Sequence, residues 1–410
     1  MIKHRLFYGW IVVAATHAAL FVIFGVAYSF AAFFAAFQSE FDASRGDVSL
    51  VFAISGFLYF LIGAFAGALS DRLGPRRISL FGMAVLAAGL FAAAHAQSLA
   101  MLYVTYSIGV GIGVGFVYVP SVGAVQPWFL KRRALASGIA VAGIGLGTLV
   151  GPLVAAWLIE AFGWRRAFEL LGIGTVVLGG VAALLLDNRP SRHGVGPDGG
   201  PPLTPSPAGP GAPLPGLTLR EAMRTKPLWL LYASTLFSCM GLFIPFVHLA
   251  PYARDVGLSA ATGVLLVGLI GIGSLVGRFG IAGVGDRFGR AQLLALAYGG
   301  MGVMFALWLG STSAPALGVF ALLFGTFYGT MVALAPALVM DLFGARSIAG
   351  ILGFVYTAAG IGNLIGPAFA GYAFDLSGSY TLPIAAGIGF NAAAVVAALA
   401  LARAGRSRSA

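Results

Sequence analysis

The stretch GALSDRLGPRR, residues 67–77, decides the fold because the chain uses it twice. A shorter version, GVGDRFGR at residues 283–290, again stands between two apolar segments. The aspartates of the two copies, Asp71 and Asp286, are 215 residues apart (286 minus 71). A basic turn that recurs at the same kind of boundary predicts two equivalent halves.

A glycine-rich motif recurs at the same offset (366 minus 151). A motif as short as Asp-Arg-x-Gly can recur by chance. Two motifs that recur at the same offset, each at a matching place in an apolar segment, indicate an internal repeat. Two halves of six helices are the plan of many transporters that work by alternating access. The matching positions are Gly145 with Gly360, Gly147 with Gly362, and Gly151-Pro152 with Gly366-Pro367.

The composition is that of an integral membrane protein. Of the 410 residues, 59% are hydrophobic and 9% are charged, whereas soluble proteins carry about 25% charged residues. The single cysteine, Cys239, excludes a disulfide framework and a cysteine-based metal site. We therefore predict an all-α membrane protein of twelve transmembrane helices in two six-helix bundles. The predicted spans lie near residues 8–36, 48–69, 77–95, 99–126, 134–160, 164–186, 227–252, 259–284, 290–312, 314–340, 346–373 and 379–402.

A polar segment rich in proline and glycine, residues 187–226, separates the predicted bundles at 1–186 and 227–410. Such a composition cannot form a packed core and predicts a flexible linker. With the linker and both termini in the cytoplasm, 19 of the 24 Lys and Arg residues lie on the cytoplasmic side. This asymmetry predicts an even number of spans with both ends in the cytoplasm, and it explains the net charge of +11 without nucleic acid.

The repeated basic turn resembles the loop signature of the major facilitator superfamily. In that signature, Asp-Arg-x-Gly joins the second and third helices, and its copy joins the eighth and ninth. The resemblance implies a latch for one access state, in which an aspartate at a helix end meets the positive N-terminus of a helix in the other bundle. The residues concerned are Asp71, Arg72, Arg76, Asp286, Arg287 and Arg290.

Two further stretches resemble the monocarboxylate transporter family, and its bacterial lactate transporters in particular. The first span opens with Tyr8-Gly9-Trp10, and WFLKRRALASGIAVAG at residues 128–143 is similar to the second signature of that family. Arg278 falls where the family carries a substrate-binding arginine in its eighth helix. Animal members carry lysine where Tyr28 stands and aspartate where Ser274 stands, and both groups are assigned to proton coupling in them. The resemblance therefore leaves the coupling mechanism of this chain open.

Arg278 lies in an otherwise apolar run, LLVGLIGIGSLVGRFGIAGV at residues 265–284. A guanidinium inside a membrane span costs a few kcal/mol by insertion scales, so it usually faces a protein cavity and holds an anion. No acidic residue lies in the same run to neutralise it. One guanidinium binds one carboxylate bidentately, which favours a small monoanion such as lactate or pyruvate.

The resemblance implies that the first, fourth, seventh and tenth helices line the cavity, with the fifth and eighth contributing. Polar side chains are few there, which argues against a sugar site, and the expected ligand is a monocarboxylate accompanied by protons. We predict that Arg278 binds the carboxylate. The other candidates for substrate binding are Tyr28, Tyr118, His248, Ser274, Tyr328 and Asn363.

Three other functions remain open. An exchanger of the oxalate–formate kind would want a second intramembrane cation, and a drug efflux antiporter is favoured only by the Gly-Pro element at residues 143–152. A sensor of the same fold would usually add a signalling domain. The glycine-rich patches lie inside spans, so they are not nucleotide loops. The sequence thus predicts a transporter and not an enzyme, without cofactor or metal, acting in the bilayer as a monomer or weak dimer.

Overall fold

The computed structural model describes residues 7–201, 216–281, 289–344 and 346–406. Within these ranges the protein is helical, and no β-strand forms. Eleven helical stretches are long and apolar enough to cross a membrane. They are α1 (Tyr8–Phe41), α2 (Arg45–Leu73), α3 (Pro75–Ala94), α4 (Leu99–Trp128), α5 (Leu135–Leu185), α6 (Lys226–Asp255), α7 (Ala260–Gly280), α8 (Arg290–Leu309), α9 (Ala314–Phe343), α10 (Ile348–Ser377) and α11 (Thr381–Ala404).

The helix α5 is too long for one crossing. Its 51 residues would extend about 75 Å at 1.5 Å per residue, against a hydrocarbon core of about 30 Å. Gly163 interrupts it with a φ of 78° and a ψ of 160°, a conformation that glycine adopts without strain. The predicted spans at 134–160 and 164–186 fall on either side of this residue. The two parts of α5 on either side of Gly163 correspond to these two predicted spans, and the count of twelve crossings stays a prediction.

The internal repeat is visible in how the helices begin and end. Gly74 and Gly289 are the glycines of the two basic turns, and both have a positive φ, of 88° and 83°, which other residues rarely adopt. At the other membrane side, Ser44 caps the start of α2 and Ser259 caps the start of α7 through their side-chain oxygens. Each pair is separated by 215 residues (289 minus 74, 259 minus 44), which is the offset of the sequence repeat.

The two halves, α1–α5 and α6–α11, contact each other mainly along two helix pairs. The helix α2 packs against α10, and α5 packs against α7. Both interfaces depend on small residues that let backbones approach. A β-carbon added to Gly371 of α10 would lie 2.6 Å from the Cα atom of Gly46 in α2. In the second pair, Gly271 of α7 lies against the backbone of Gly145 in α5. Close packing of small residues is the usual basis of helix association in membranes.

The first part of the predicted linker packs on the N-terminal half. The indole Nε1 of Trp128 donates to the carbonyl oxygen of Asp187 at 2.7 Å. The carboxylate of Asp198 accepts from the backbone N–H groups of Leu130 and Lys131 at 3.0 and 2.9 Å. These hydrogen bonds, with that from Lys131 the largest effect, lower the pKa of Asp198 below its ordinary value.

The last part of the predicted linker packs on the C-terminal half. The backbone N–H of Leu217 donates to the carbonyl oxygen of Phe343 at 2.7 Å. A capping box between Thr218 and Glu221 then starts a short helix ahead of α6. Residues 202–215 lie outside the described part of the chain, so the predicted flexibility of the linker stays a prediction there.

Candidate functional site

A cavity lies between the two halves, and helices from both halves line it. Its volume is about 70 Å³. A water molecule needs about 10–15 Å³ on this scale, so the cavity holds a ligand of about five water volumes. Apart from Arg278, aromatic and aliphatic side chains form most of the lining. Its phenols are Tyr28, Tyr59, Tyr118, Tyr298, Tyr328 and Tyr356, and the small side chains Thr235 and Cys239 complete the polar set.

Arg278 enters the cavity from a π-helical turn, Gly277–Ile281, at the end of α7. The close approach of Gly273 and Gly277 to the backbone of α9 holds this turn in place, and the hydroxyl of Thr330 donates to the carbonyl oxygen of Gly277 at 3.3 Å. A π-helical turn shifts the side chains after it relative to a regular helix, and such turns are frequent at functional sites. Gly277 therefore stays against α9, while the next residue, Arg278, lines the cavity.

The guanidinium of Arg278 is only partly satisfied by the protein. Its Nε donates to the hydroxyl oxygen of Ser274 at 3.1 Å. Its two terminal nitrogens, Nη1 and Nη2, are buried and have no hydrogen-bond partner among the residues that the structure describes. The ring of Tyr328 lies 5.9 Å from the guanidinium carbon, within the range of a cation–π contact. The outer edge of the guanidinium is thus left as a pair of parallel donors.

The structure brings together four of the predicted site residues around the cavity and a fifth beside it. Tyr28, Tyr118, Tyr328 and Arg278 line the cavity, and Ser274 lies behind Arg278 as the partner of its Nε. The phenol of Tyr118 comes from the N-terminal half and interacts electrostatically with Arg278 from the C-terminal half. The site is therefore shared between the halves.

Sequence reasoning missed several lining residues, of which Tyr356 is the most informative. It comes from α10, and its phenol also interacts electrostatically with Arg278. Tyr59 of α2 and Tyr298 of α8 join it. These residues could have been found from the sequence as tyrosines in otherwise apolar spans, because the hydroxyl of a buried tyrosine usually needs a polar partner.

His248 and Asn363 lie elsewhere among the described residues. The ring of His248 contacts the carbonyl oxygen of Pro367 at 2.9 Å and the hydroxyl of Tyr380 at 3.0 Å, and it reaches Ser49 of the other half at 3.2 Å. Asn363 donates from Nδ2 to the carbonyl oxygen of Ala53 in α2 at 3.2 Å. Both residues tie the halves together instead of lining the cavity.

The halves are joined at the membrane side opposite the linker, in a cluster that we call the closed end: Arg45, Asp255, Asp375 and Tyr380. Arg45 of α2 pairs with both carboxylate oxygens of Asp255 in α6, at 2.6 and 2.7 Å. Its guanidinium also donates to the hydroxyl of Tyr380 at 2.9 Å and stacks 3.8 Å from the centre of the Phe374 ring. Burial raises the pKa of the Tyr380 phenol, so this hydroxyl keeps the proton that it can donate to His248.

The predicted latch residues lie on the linker side. Asp71 and Arg72 are exposed at the end of α2. Arg76 donates from Nε to the carbonyl oxygen of Leu186 at 3.4 Å, and Arg290 pairs with Asp341 at 2.5 Å; each contact stays within one half. The remaining two residues of the latch, Asp286 and Arg287, lie outside the described residues. The latch stays a prediction.

A family model described as Major Facilitator Superfamily matches residues 16–347. Among curated proteins, monocarboxylate transporter 13 of Bos taurus is 30% identical over 376 residues, which cover 91% of this chain and 84% of that protein. An MFS-type transporter of Gibberella moniliformis is 31% identical over 96% of this chain and 90% of its own length. Monocarboxylate transporter 11 of Homo sapiens is 28% identical over 91% and 79%.

A solved structure with a similar fold is that of a bacterial homolog of the human lysosomal transporter Spinster, in an inward-facing and unoccupied conformation. The TM-score is 0.71, and the match covers 98% of each chain. At 16% sequence identity, this similarity supports the fold alone.

Proposed function

Because this chain belongs to the monocarboxylate transporter family of the major facilitator superfamily, we propose that it is a secondary transporter of small monocarboxylates such as L-lactate and pyruvate. In this proposal the anion moves by alternating access together with a proton, and Arg278 binds the carboxylate. Both termini lie on the cytoplasmic side of a bacterial inner membrane, and the protein works as a monomer or weak dimer.

The observation that carries this proposal is the pair of buried Nη atoms of Arg278, which have no hydrogen-bond partner in the described part of the chain. A buried donor without a partner costs about 1–3 kcal/mol, and more when the group is charged. A carboxylate supplies two acceptors at the spacing of the guanidinium edge. A bound anion thereby removes the free-energy cost of burying the two unpaired Nη groups.

The size and chemistry of the cavity favour a small acid. About five water volumes suit a three-carbon acid with its carboxylate on Arg278 and its hydroxyl or keto oxygen toward a phenol. Besides the ring of Tyr328, the phenols of Tyr118 and Tyr356 interact with the guanidinium. Because Tyr118 and Tyr356 come from different halves, a ligand that binds both would contact the two halves at the same time.

The closed end supports alternating access. A transporter needs one side sealed while the other is accessible, and the Arg45–Asp255 pair together with Tyr380 seals the side opposite the linker. Exchange of a dianion, as in oxalate–formate exchangers, would require a second cation. Among the described residues that line the cavity, Arg278 is the one with a formal charge, so a monoanion is favoured over a dianion or a cationic drug.

The test is uptake of labelled L-lactate into proteoliposomes, with and without an inward proton gradient. Gradient-driven uptake that stops when the gradient is collapsed supports the proposal. We expect Arg278→Ala to abolish uptake and Arg278→Lys to keep at most a small part, since an ammonium cannot offer two parallel donors. The control is Arg165→Ala, because Arg165 is half-exposed and pairs with Glu40 within one half. Full uptake by Arg278→Ala would overturn the site.

A further inference from the structure

His248 of α6 is fully buried beside the closed end, and its partners assign the proton on its ring. Its Nε2 lies 2.9 Å from the carbonyl oxygen of Pro367 in α10. A carbonyl oxygen only accepts hydrogen bonds, so Nε2 carries a proton. Its Nδ1 lies 3.0 Å from the hydroxyl of Tyr380. In the neutral ring this second nitrogen is an acceptor, and Tyr380 donates to it.

The hydroxyl of Tyr380 lies between a cation and this imidazole. Its oxygen accepts from Nη1 of Arg45 at 2.9 Å, and its hydrogen is donated to Nδ1 of His248. A proton added to Nδ1 would leave that hydrogen without its acceptor and would place a second cation at the same phenol oxygen. The hydrogen bonds of the closed end therefore hold His248 in its neutral form.

The charges around the ring balance when the two halves meet. Four charged side chains interact electrostatically with His248 or with Tyr380: Arg45, Arg254, Asp255 and Asp375. The C-terminal half supplies one positive and two negative side chains of this set, and Arg45 of the N-terminal half supplies the missing positive charge. Two further contacts of the ring are uncharged, since α1 places Phe34 against the imidazole and α2 adds the hydroxyl of Ser49.

Opening of the closed end removes Arg45 and leaves the other groups together. Arg45 belongs to α2 and moves with the N-terminal half, whereas His248, Tyr380 and the two aspartates belong to the C-terminal half. The opened face of the C-terminal half thus has one unbalanced negative charge and a phenol oxygen that can accept from a protonated Nδ1. An imidazole with an ordinary pKa of about 6.5 takes up a proton at mildly acid pH, and on His248 that proton would restore the charge balance.

We propose that His248 is a regulatory proton site, at which a proton and Arg45 compete for the same carboxylates and the same phenol. A ligand that binds one of two states shifts the equilibrium towards that state. The open form takes up the proton and the closed form excludes it, so the open population rises as the pH on this side falls through about 6.5. Between pH 7.5 and pH 5.5 the rise is about tenfold. This control acts on access alone, and it is separate from the proton that accompanies the anion in the proposed function.

The experiment measures how fast a membrane-impermeant maleimide labels Cys239, the single cysteine of the chain, which lines the cavity. Oriented vesicles without substrate receive the reagent on the side of the closed end. The pH on that side is set between about 5.5 and 7.5, and the pH on the other side is kept constant. Each labelling rate is divided by the rate of glutathione at the same pH, which removes the intrinsic pH dependence of thiols.

We expect this relative rate to rise about tenfold on acidification in the wild type and to stay level in His248→Gln. The glutamine amide can still donate to the carbonyl oxygen of Pro367 but cannot take up a proton. His95→Gln is the matched control, because His95 is exposed on the same side and contacts the carbonyl oxygen of Phe91 in its own helix. Its profile should follow that of the wild type.

A wild-type relative rate that is constant within about twofold would overturn the inference. A rise that persists in His248→Gln, or that disappears in His95→Gln, would overturn it as well. Should His248→Gln fail to fold, His248→Asn takes its place. Lactate uptake is measured separately: uptake driven by the proton gradient together with a level wild-type profile would overturn this inference alone, and absence of uptake together with the expected rise would overturn the proposed function alone.

Discussion

Arg45 and Asp255 are 210 residues apart in sequence and join the two halves through two hydrogen bonds, of 2.6 and 2.7 Å. The pair is bidentate, and the side chain of Arg45 is only 16% exposed, so water screens it less than an ordinary surface ion pair. The contact can persist only while the halves meet at this end. Loss of this contact should therefore be detectable as increased access to the cavity from this side of the membrane.

Arg45→Ala should open the closed end. Hydrogen bonds to charged groups are worth about 1.5–3 kcal/mol, so losing this contact should raise the population open at this side about tenfold. The native reporter is Cys239, the single cysteine of the chain, which lines the cavity. We expect a membrane-impermeant maleimide, added on the side of the closed end in oriented vesicles, to label it about tenfold faster.

Arg165→Ala is the matched control for this labelling experiment, because it removes a half-exposed ion pair with Glu40 that stays within the N-terminal half. Its labelling rate should equal that of the wild type. A rate for Arg45→Ala no higher than that of Arg165→Ala would show that the Arg45–Asp255 pair does not hold this end closed.

Tyr118→Phe should weaken binding of 2-hydroxy acids selectively. The phenol of Tyr118 interacts with Arg278 across the halves, and loss of one hydrogen bond to the ligand should raise the KM for L-lactate about fivefold to tenfold. Propionate lacks the 2-hydroxyl, so its KM should change little. Tyr106→Phe is the control, since Tyr106 is buried outside the cavity and its hydroxyl has no hydrogen-bond partner among the described residues. Equal losses for lactate and propionate would mean that Tyr118 acts on packing or on Arg278 alone.

Gly371→Ala should force α2 and α10 apart. The added methyl group would lie 2.6 Å from the Cα atom of Gly46 and 2.7 Å from the carbonyl oxygen of Arg45, which are backbone atoms that cannot rotate away. Overpacking of this kind costs about 1–3 kcal/mol, so the midpoint of thermal unfolding should fall by a few degrees.

Gly389→Ala in α11 is the matched substitution, because no described atom beyond the adjacent turns of its own helix lies within 4 Å of the added methyl group. Alanine is favoured over glycine inside a helix by about 1 kcal/mol, so this variant should be as stable as the wild type or more stable. Equal unfolding midpoints for the two variants would show that the α2–α10 interface accommodates the added methyl group without loss of stability.

Docking of the first linker segment should depend on pH through Asp198. Its pKa is lower in the folded protein than in the unfolded chain, because the carboxylate accepts from the amides of Lys131 and Leu130. The stabilisation is therefore complete above the ordinary aspartate pKa of about 3.9 and is lost as the pH falls through the lowered value. Exchange of these two amides with deuterium should speed up in that acid range. Asp198→Asn should remove this pH dependence; an unchanged profile in that variant would assign the effect to another group.

The family and the helical architecture follow from the sequence because both rest on strong one-dimensional signals. The offset of 215 residues predicted two equivalent halves, and the same offset relates Gly74 to Gly289 and Ser44 to Ser259 in the structure. The family resemblance, which rested on residues 67–77 and 128–143, is confirmed by the relatives. The sequence predicts two spans around Gly163, whereas the structure describes one stretch, α5, with a local interruption at that residue.

The direction in which a side chain points was predicted less accurately than the architecture. In a soluble helix, polar residues mark the outer face, but lipid and protein interior are both apolar, so that a membrane helix carries no such mark. Arg278 could be assigned to a cavity because a charged side chain is strongly disfavoured in contact with lipid. His248 and Asn363 are neutral polar residues, and an interface between helices satisfies them as well as a cavity does.

The start of α2 is completed by the other half of the protein. The carboxylate of Asp375 in α10 accepts from the backbone amides of Arg45 and Gly46, at 2.9 and 2.8 Å. These are among the amides that a helix cannot satisfy by itself at its first turn. Separation of the halves at this side would leave these two amides without their carboxylate partner, while the cap that Ser44 supplies would remain. We therefore expect a change of access to loosen the first turn of α2 as well as to move the bundles.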